Sequence, residues 1–368
     1  MIYHIYWGTA GNSGLYLEEI YQVLRKKGYS QKVFVNYYYP FNYGEKVFFK
    51  RTEMEHCKYH GFLRKVMMGI ELFQGLTKVL FSSIKDKPSL INFSYAGWSN
   101  SLVYVFLYLL RKINRGKLVI TCHDVIPSLR NVRGYDKELK RKERIYSLAS
   151  YYLVHNNNSI DDLIRVFVID KQKVLIHPFP LMDLSKLDMN IQVIPEYDYL
   201  FIGHLRKEKG VDLLLDAWQD FHALFPKASL CIAGNAAYYK DYLFRKEADC
   251  KENNVTLKLG FVEDKDYIQI IKSAKCVLFP YTSGTNSGVI STVISLRRNV
   301  ITSDIGMFAN NPLVPRGNMF KSGDKSSFVD LLIKNYKEAF TYDYENLIGD
   351  YRNQFTKRVN DVYSSLLL

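Results

Sequence analysis

The stretch SGTNSGVISTVISLRRNVITSDIG, Ser283 to Gly306, carries the reading of the fold. It consists of a glycine-containing loop, a helix and a buried strand. The loop is Ser283-Gly284-Thr285-Asn286-Ser287-Gly288. The helix starts at Ser287 or Gly288 and runs to about Leu296, and the strand is Asn299 to Thr302, ending at Ser303-Asp304. A helix start exposes backbone N–H groups that lack intrahelical partners, and the helix dipole adds partial positive charge there. Small hydroxyl residues and glycines let an anion approach those amides. The loop reads either as a phosphate seat or as an ordinary strand-to-helix turn with a serine cap. Both readings belong to an α/β protein.

Working outward, short apolar runs alternate with helical patterns on both sides of this segment. In the first half the expected strands are Tyr3–Trp7, Lys32–Asn36, Ser89–Phe93, Lys117–Thr121, Tyr151–Val154 and Val174–Ile176. In the second they are Tyr199–Ile202, Ser229–Ala233, Thr256–Leu259, Cys276–Phe279, Val300–Thr302 and Asn318–Lys321. Strands separated by helices argue for parallel sheets built from βαβ units. Two such sheets in tandem give two Rossmann-like domains, expected at residues 1–185 and 198–345, with the boundary inside Pro178–Tyr197. A chain of 368 residues is also too long for one ordinary core.

Ligands of doubly wound sheets sit at the carboxyl ends of strands. Polar or glycine-rich patches fall at those ends: Gly8–Gly14, with Gly11 inside it, His123-Asp124, Gly203–Gly210, Gly234-Asn235 and the Ser283 loop. Two sheets presenting these ends to each other would enclose a cleft suited to a nucleotide-bearing substrate.

Composition narrows the class. Aromatic residues make up 15% and charged residues 24%, which suits a folded globular chain. The five cysteines are scattered, with no CxxC pair and no Cys/His cluster, so no structural zinc is expected. No signal peptide is recognised, and the apolar run Leu102–Leu110 is about half of what a bilayer span needs. The charge is lopsided. Residues 1–190 hold 28 Lys and Arg against 16 Asp and Glu, a net of +12, whereas residues 191–368 carry +1. A basic half implies a polyanionic partner or an anionic membrane surface, unless it is simply a solvated face. Aromatic and aliphatic residues among the charges, as in Tyr59–Met68 and Tyr104–Lys112, point to the membrane.

The string FIGHLRKEKGVDLLLDAW, Phe201 to Trp218, resembles a block of the retaining glycosyltransferases of family 4. Pro280 to Gly306 resembles the later block of that family, TCHDVIP (Thr121–Pro127) resembles its segment at the cleft edge, and FTKRVNDVYSSLL resembles its closing helix. The resemblance implies a GT-B fold, with an N-terminal acceptor-binding domain, a C-terminal nucleotide-sugar domain and a helix, residues 346–368, crossing back to the first. It implies a donor that is a UDP- or GDP-sugar, with no cofactor and no metal. It also implies a lipid-linked or oligosaccharide acceptor in bacterial surface polysaccharide synthesis, at the inner face of the cytoplasmic membrane. Arg206 and Lys209 would neutralise the diphosphate leaving group. Ser287 with the amides of Gly288 and Val289 would hold the distal phosphate, flanked by Thr285 and Asn286. Gly203, Gly234 and Gly11 would let the donor approach closely. Phe261 and Val262 would meet the base, and His123 the donor sugar or the anomeric centre.

Two departures stand out. Members of the family often carry two glutamates eight positions apart in the later block, the second of which related blocks also lack, but here no carboxylate occurs between Asp266 and Asp304. That motivates a competing reading, a catalytically idle GT-B subunit that binds nucleotide sugar or a partner enzyme. The one DxD match, Asp264-Lys265-Asp266, opens a helical pattern and reads as a capping cluster, not a metal site. A sugar-nucleotide epimerase needs acid and base carboxylates that are not found. A nucleic-acid-binding protein has only the net charge in its favour, so no nucleic acid partner is expected.

Overall fold

The structure, a computed structural model, describes residues 1–8, 12–53, 57–95, 101–126, 134–181, 193–236, 239–260, 262, 264–284, 287–338 and 343–368. The chain divides into two compact units, Met1–Phe179 with Gln354–Leu368, and Pro180–Asn353. Each is built on one parallel sheet.

The first unit contains β1 (Ile2–Tyr6), β2 (Gln31–Asn36), β3 (Glu45–Phe48), β4 (Leu90–Tyr95), β5 (Lys117–Cys122), β6 (Tyr151–Val154) and β7 (Val174–Ile176), in the order β3-β2-β1-β4-β5-β6-β7. Its helices are α1 (Asn12–Lys26), α2 (Gly61–Asp86), α3 (Ser101–Ile113), α4 (Tyr135–Tyr146) and α5 (Asn157–Phe167). Every residue of β1 is buried, as a parallel strand covered on both faces requires. The strand β3 was not expected. It is a short edge strand whose first two residues, Glu45 and Lys46, are exposed, so it lacks the apolar run that marks its neighbours.

The second unit contains β8 (Tyr197–Ile202), β9 (Leu230–Gly234), β10 (Val255–Leu259), β11 (Ala274–Phe279), β12 (Asn299–Ser303) and β13 (Met319–Phe320), in the order β10-β9-β8-β11-β12-β13. The helices are α6 (Val211–Leu224), α7 (Lys240–Arg245), α8 (Glu247–Glu252), α9 (Asp264–Lys272), α10 (Gly288–Ser295), α11 (Gly306–Ala309) and α12 (Lys325–Lys337).

The last helix, α13 (Tyr344–Leu367), starts two residues before the expected 346 and belongs to both cores. Ile348 and Tyr351 join the second. Phe355, Val359 and Tyr363 join the first, beside β1 and β4 residues. A buried chain of hydrogen bonds fixes this end: Thr121 Oγ1 donates to Asn92 Oδ1 (2.8 Å), and Asn92 Nδ2 donates to Tyr363 Oη (3.0 Å).

Both sheets reverse direction once. The chain builds β1, β2 and β3 outward and then returns to place β4 on the other side of β1. In the second unit it places β11 on the other side of β8. The carboxyl ends at these reversals are where open α/β sheets bind ligands. Among the described residues no helix is long and apolar enough to cross a membrane.

Candidate active site

The reversal of the second sheet brings the two most informative sequence blocks together. Arg206 to Lys209 follow β8, and Pro280 to Ser287 follow β11. The two loops are tied backbone to backbone: Thr282 N–H donates to the Glu208 carbonyl at 3.0 Å. Gly210, which starts α6 with φ +68°, is required by this approach, because a Cβ there would lie 1.8 Å from the Pro280 carbonyl oxygen. Arg206 is 8% exposed, and its Nη1 sits 3.3 Å from Glu208 Oε1. The Lys209 ammonium rests 3.7 Å from the centre of the Tyr281 ring, a cation–π contact. Tyr281 is a rigid platform: it is buried, packs on Phe279 and Phe308, and has its carbonyl held by Ser303 Oγ at 2.6 Å.

Ser287 stands at the cap of α10 in extended conformation, yet its hydroxyl makes no capping bond. Among the described residues the buried Ser287 Oγ has no partner. The first turn of α10, with Gly288 and Val289, carries no acidic residue to offset the dipole. Two cationic side chains and a helix start therefore flank one reversal point, and groups of this kind can neutralise phosphate oxygens.

Gly203 and Gly234 follow in the same row. Gly234 ends β9 at φ +133°, and a Cβ there would fall 1.8 Å from the Gly203 carbonyl oxygen. Gly234→Ala is therefore expected to destabilise the second unit by at least about 2 kcal/mol, since strain and clash act together. A urea midpoint equal to the parent's would show that the close approach is not real. Val262 follows β10 on the same edge of the sheet. Asp264 and Asp266 fall in the opening turn of α9. Gly11, Phe261, Thr285 and Asn286 lie outside the described residues.

His123 lies in the first unit, at the end of β5, and is one of three histidines in a row. Thr121 pairs with Leu153 and Val154 pairs with Ile176, so His123, His155 and His177 each stand just past a strand end on adjacent strands. Burial is the main cause that pushes His123 and His177 down to about 4, and that holds His155 well below the usual range. The rings are therefore neutral near pH 7, and their partners fix the tautomers. Nδ1–H of His177 donates to the Pro178 carbonyl (3.0 Å), so its Nε2 accepts from Tyr16 Oη (3.0 Å). Nδ1–H of His155 donates to the His177 carbonyl (3.4 Å), so its Nε2 accepts from His123 Nδ1–H (3.1 Å). This leaves His123 with its lone pair on Nε2. A sugar hydroxyl meeting that atom would donate to it.

Sequence reasoning missed Tyr16, His155, His177 and Tyr281. The signal for the histidines was present, since each directly follows an apolar strand. Tyr281 is legible only once β8 and β11 are known to be neighbours.

Residues 189–352 match the family model described as glycosyl transferases group 1. Two Xanthomonas campestris pv. campestris proteins, each named GDP-mannose:glycolipid 4-beta-D-mannosyltransferase, are 30% identical over 102 residues, 28% of this chain. The chain spans 29% of the length of these relatives. Among solved structures, Anabaena HepE in complex with UDP and glucose superposes with a TM-score of 0.67, at 14% identity over 100% of this chain and 99% of that one. The lipopolysaccharide outer core galactosyltransferase WaaB, apo form, gives 0.62 at 15% identity over 99% of each chain. The chain thus has the two-domain GT-B fold, and its residues 189–352 match the glycosyl transferases group 1 family.

Proposed function

We propose that the protein is a retaining glycosyltransferase of family 4. It moves a sugar from a nucleotide diphosphate sugar to a lipid-linked or oligosaccharide acceptor in bacterial surface polysaccharide synthesis, at the inner face of the cytoplasmic membrane. The carrying observation is the convergence of Arg206, Lys209 and the start of α10 on the reversal point between β8 and β11. These groups take up the charge that develops as the diphosphate departs, and the leaving phosphate oxygen takes the acceptor proton. Gly203, Gly234 and Val262 frame the nucleotide. Nε2 of His123 accepts a hydrogen bond from a hydroxyl of the donor or acceptor. No cofactor or metal takes part.

Both candidate nucleotides have support. HepE was solved with UDP and UDP-glucose, and the Xanthomonas proteins are named for GDP-mannose. The product named for the latter is β-linked. An α-linked donor processed with retention gives an α-product, so the anomeric configuration of the product, read by NMR, decides between retention and inversion. A second reading, a catalytically idle subunit, is favoured by the absence of any carboxylate from residue 267 to 303.

The test is thermal shift with UDP-, GDP-, ADP- and dTDP-sugars, followed by transfer or donor hydrolysis with the ligand that binds. One sugar nucleotide should raise the melting temperature in proportion to the logarithm of its concentration, and turnover should survive EDTA. Binding without turnover establishes the idle subunit. No binding by any member of the panel overturns both readings.

A further inference from the structure

The basic segment that the sequence marked becomes a defined surface in the fold. Residues 57–117 contain ten Lys and Arg and only two acids, Glu71 and Asp86. Both acids are committed internally. Glu71 accepts hydrogen bonds from Arg51 N and Thr52 Oγ1, and Asp86 from Tyr3 Oη and the Lys32 ammonium. The helices α2 and α3 pack against each other through one face each. On α2 that face includes Leu72, Leu76 and Val79, all buried.

The opposite face of α2 is apolar and bare. Phe62 is 82% exposed, Phe73 58% and Phe81 68%, and Val66, Ile70 and Ile84 are exposed with them. At about 100° per residue these six positions fall within an arc of about 100°, along roughly 33 Å of helix. Exposed Lys65 flanks one side of the arc, and exposed Lys78 and Lys85 the other. The neighbouring helix α3 repeats the pattern with exposed Val105, Tyr108 and Leu109 around Lys112.

A soluble surface rarely leaves such a stripe open, and its composition selects the partner. Protein interfaces deplete lysine from their cores. A bilayer interface accepts aromatic and aliphatic side chains at the acyl boundary while long lysines reach the headgroups. We propose that the exposed faces of α2 and α3 dock on an anionic lipid bilayer. The apolar stripe enters the headgroup–acyl boundary, and Lys65, Lys78, Lys85 and Lys112 lie at the level of the lipid phosphates. This deepens the membrane part of the proposed function and rests on it only in taking the acceptor to be lipid-linked. Bilayer binding is measured without donor or acceptor, so either can fail while the other stands.

The experiment is co-sedimentation of the full chain with vesicles of phosphatidylcholine alone or mixed with phosphatidylglycerol. Binding should rise with phosphatidylglycerol and fall with salt. Phe62→Ser, Phe73→Ser and Phe81→Ser together should weaken it by at least about tenfold. Lys65→Glu, Lys78→Glu and Lys85→Glu together should weaken it by more than about a hundredfold. Melting temperature and the response to nucleotide should stay at parental values in both variants. The proposal is overturned if the parent ignores anionic vesicles, or binds them as well with both sets of substitutions. It is also overturned if sedimentation equilibrium shows a dimer that the phenylalanine variant alone converts to monomer, because the stripe then seals two copies.

Discussion

Removing Arg206 and Lys209 together should lower kcat/KM for transfer by roughly a hundredfold to ten-thousandfold, because each charge-assisted contact contributes about 1.5–3 kcal/mol. In the proposed reaction the two residues play different parts. Arg206 is buried and partly neutralised by Glu208, so it acts as an oriented fork of donors. Lys209 is parked on Tyr281 and can swing from the ring to a phosphate at little cost. Arg206→Lys should keep the charge, lose the bidentate geometry and recover only part of the rate. Burial makes Arg206→Ala the riskier variant for stability, so Lys209→Ala is the cleaner one. It should weaken UDP or GDP binding by calorimetry about tenfold or more with an unchanged melting temperature. If both single variants bind UDP and GDP like the parent, the phosphate site lies elsewhere. Retention of full transfer by the double variant would remove the electrostatic mechanism altogether.

The expected and observed elements differ in an instructive way. Nine of the strands lie in largely buried stretches where Val, Ile, Leu, Tyr and Phe run together, as strands covered on both faces require, whereas β7 and β10 are apolar but only partly covered, at the edges of their sheets. The two-residue β13 falls inside the expected Asn318–Lys321, whereas β3 was not legible at all, since a half-exposed edge strand needs no apolar run. The phosphate-binding candidates were legible because small residues, glycines and cations after a strand are themselves the chemistry. What escaped was whatever depends on register. His123, His155 and His177 are far apart in sequence, and only the pairing of β5, β6 and β7 lines them up. Likewise the contact between Lys209 and Tyr281 exists because β11 inserts beside β8. The division of α13 between two cores also follows from tertiary packing, because its sequence is amphipathic throughout and nothing in it marks residue 353 as a border.

Mild acid should unfold the first unit, and this is the largest stability effect expected. His4, His123 and His177 are pushed down to about 4 by burial, and His155 lies well below its usual value for the same reason, reinforced by His123 and His177. All four belong to the first unit. In the unfolded chain they bind a proton near pH 6.5; in the folded chain His4, His123 and His177 do so only near 4, and His155 only well below its usual value. Between those values the unfolded state holds more protons, so stability is full above pH 6.5 and is lost as pH falls toward 4. His4 and His177, both fully buried, should each cost about 2 kcal/mol between pH 7 and pH 5. His155 adds a loss in the same direction. Together they approach the whole stability of a typical domain, about 5–15 kcal/mol. The hydrogen-bond chain supplies the structural reason. A proton on His155 Nε2 would confront the Nδ1–H of His123, and one on His177 Nε2 would confront the Tyr16 hydroxyl proton. Protonation thus breaks the array in addition to charging a dry site. Urea unfolding at pH 7 and pH 5 measures the effect, and hydrogen exchange corrected for intrinsic rates locates it. Opening should be confined to residues 1–179 and 354–368. His177→Gln should be less stable than the parent at pH 7 but lose less on going to pH 5, because it has one proton fewer to take up. A urea midpoint that is flat from pH 7 to pH 5 would mean that the three strand-end rings are hydrated and already charged, and would withdraw the neutral Nε2 acceptor assigned to His123.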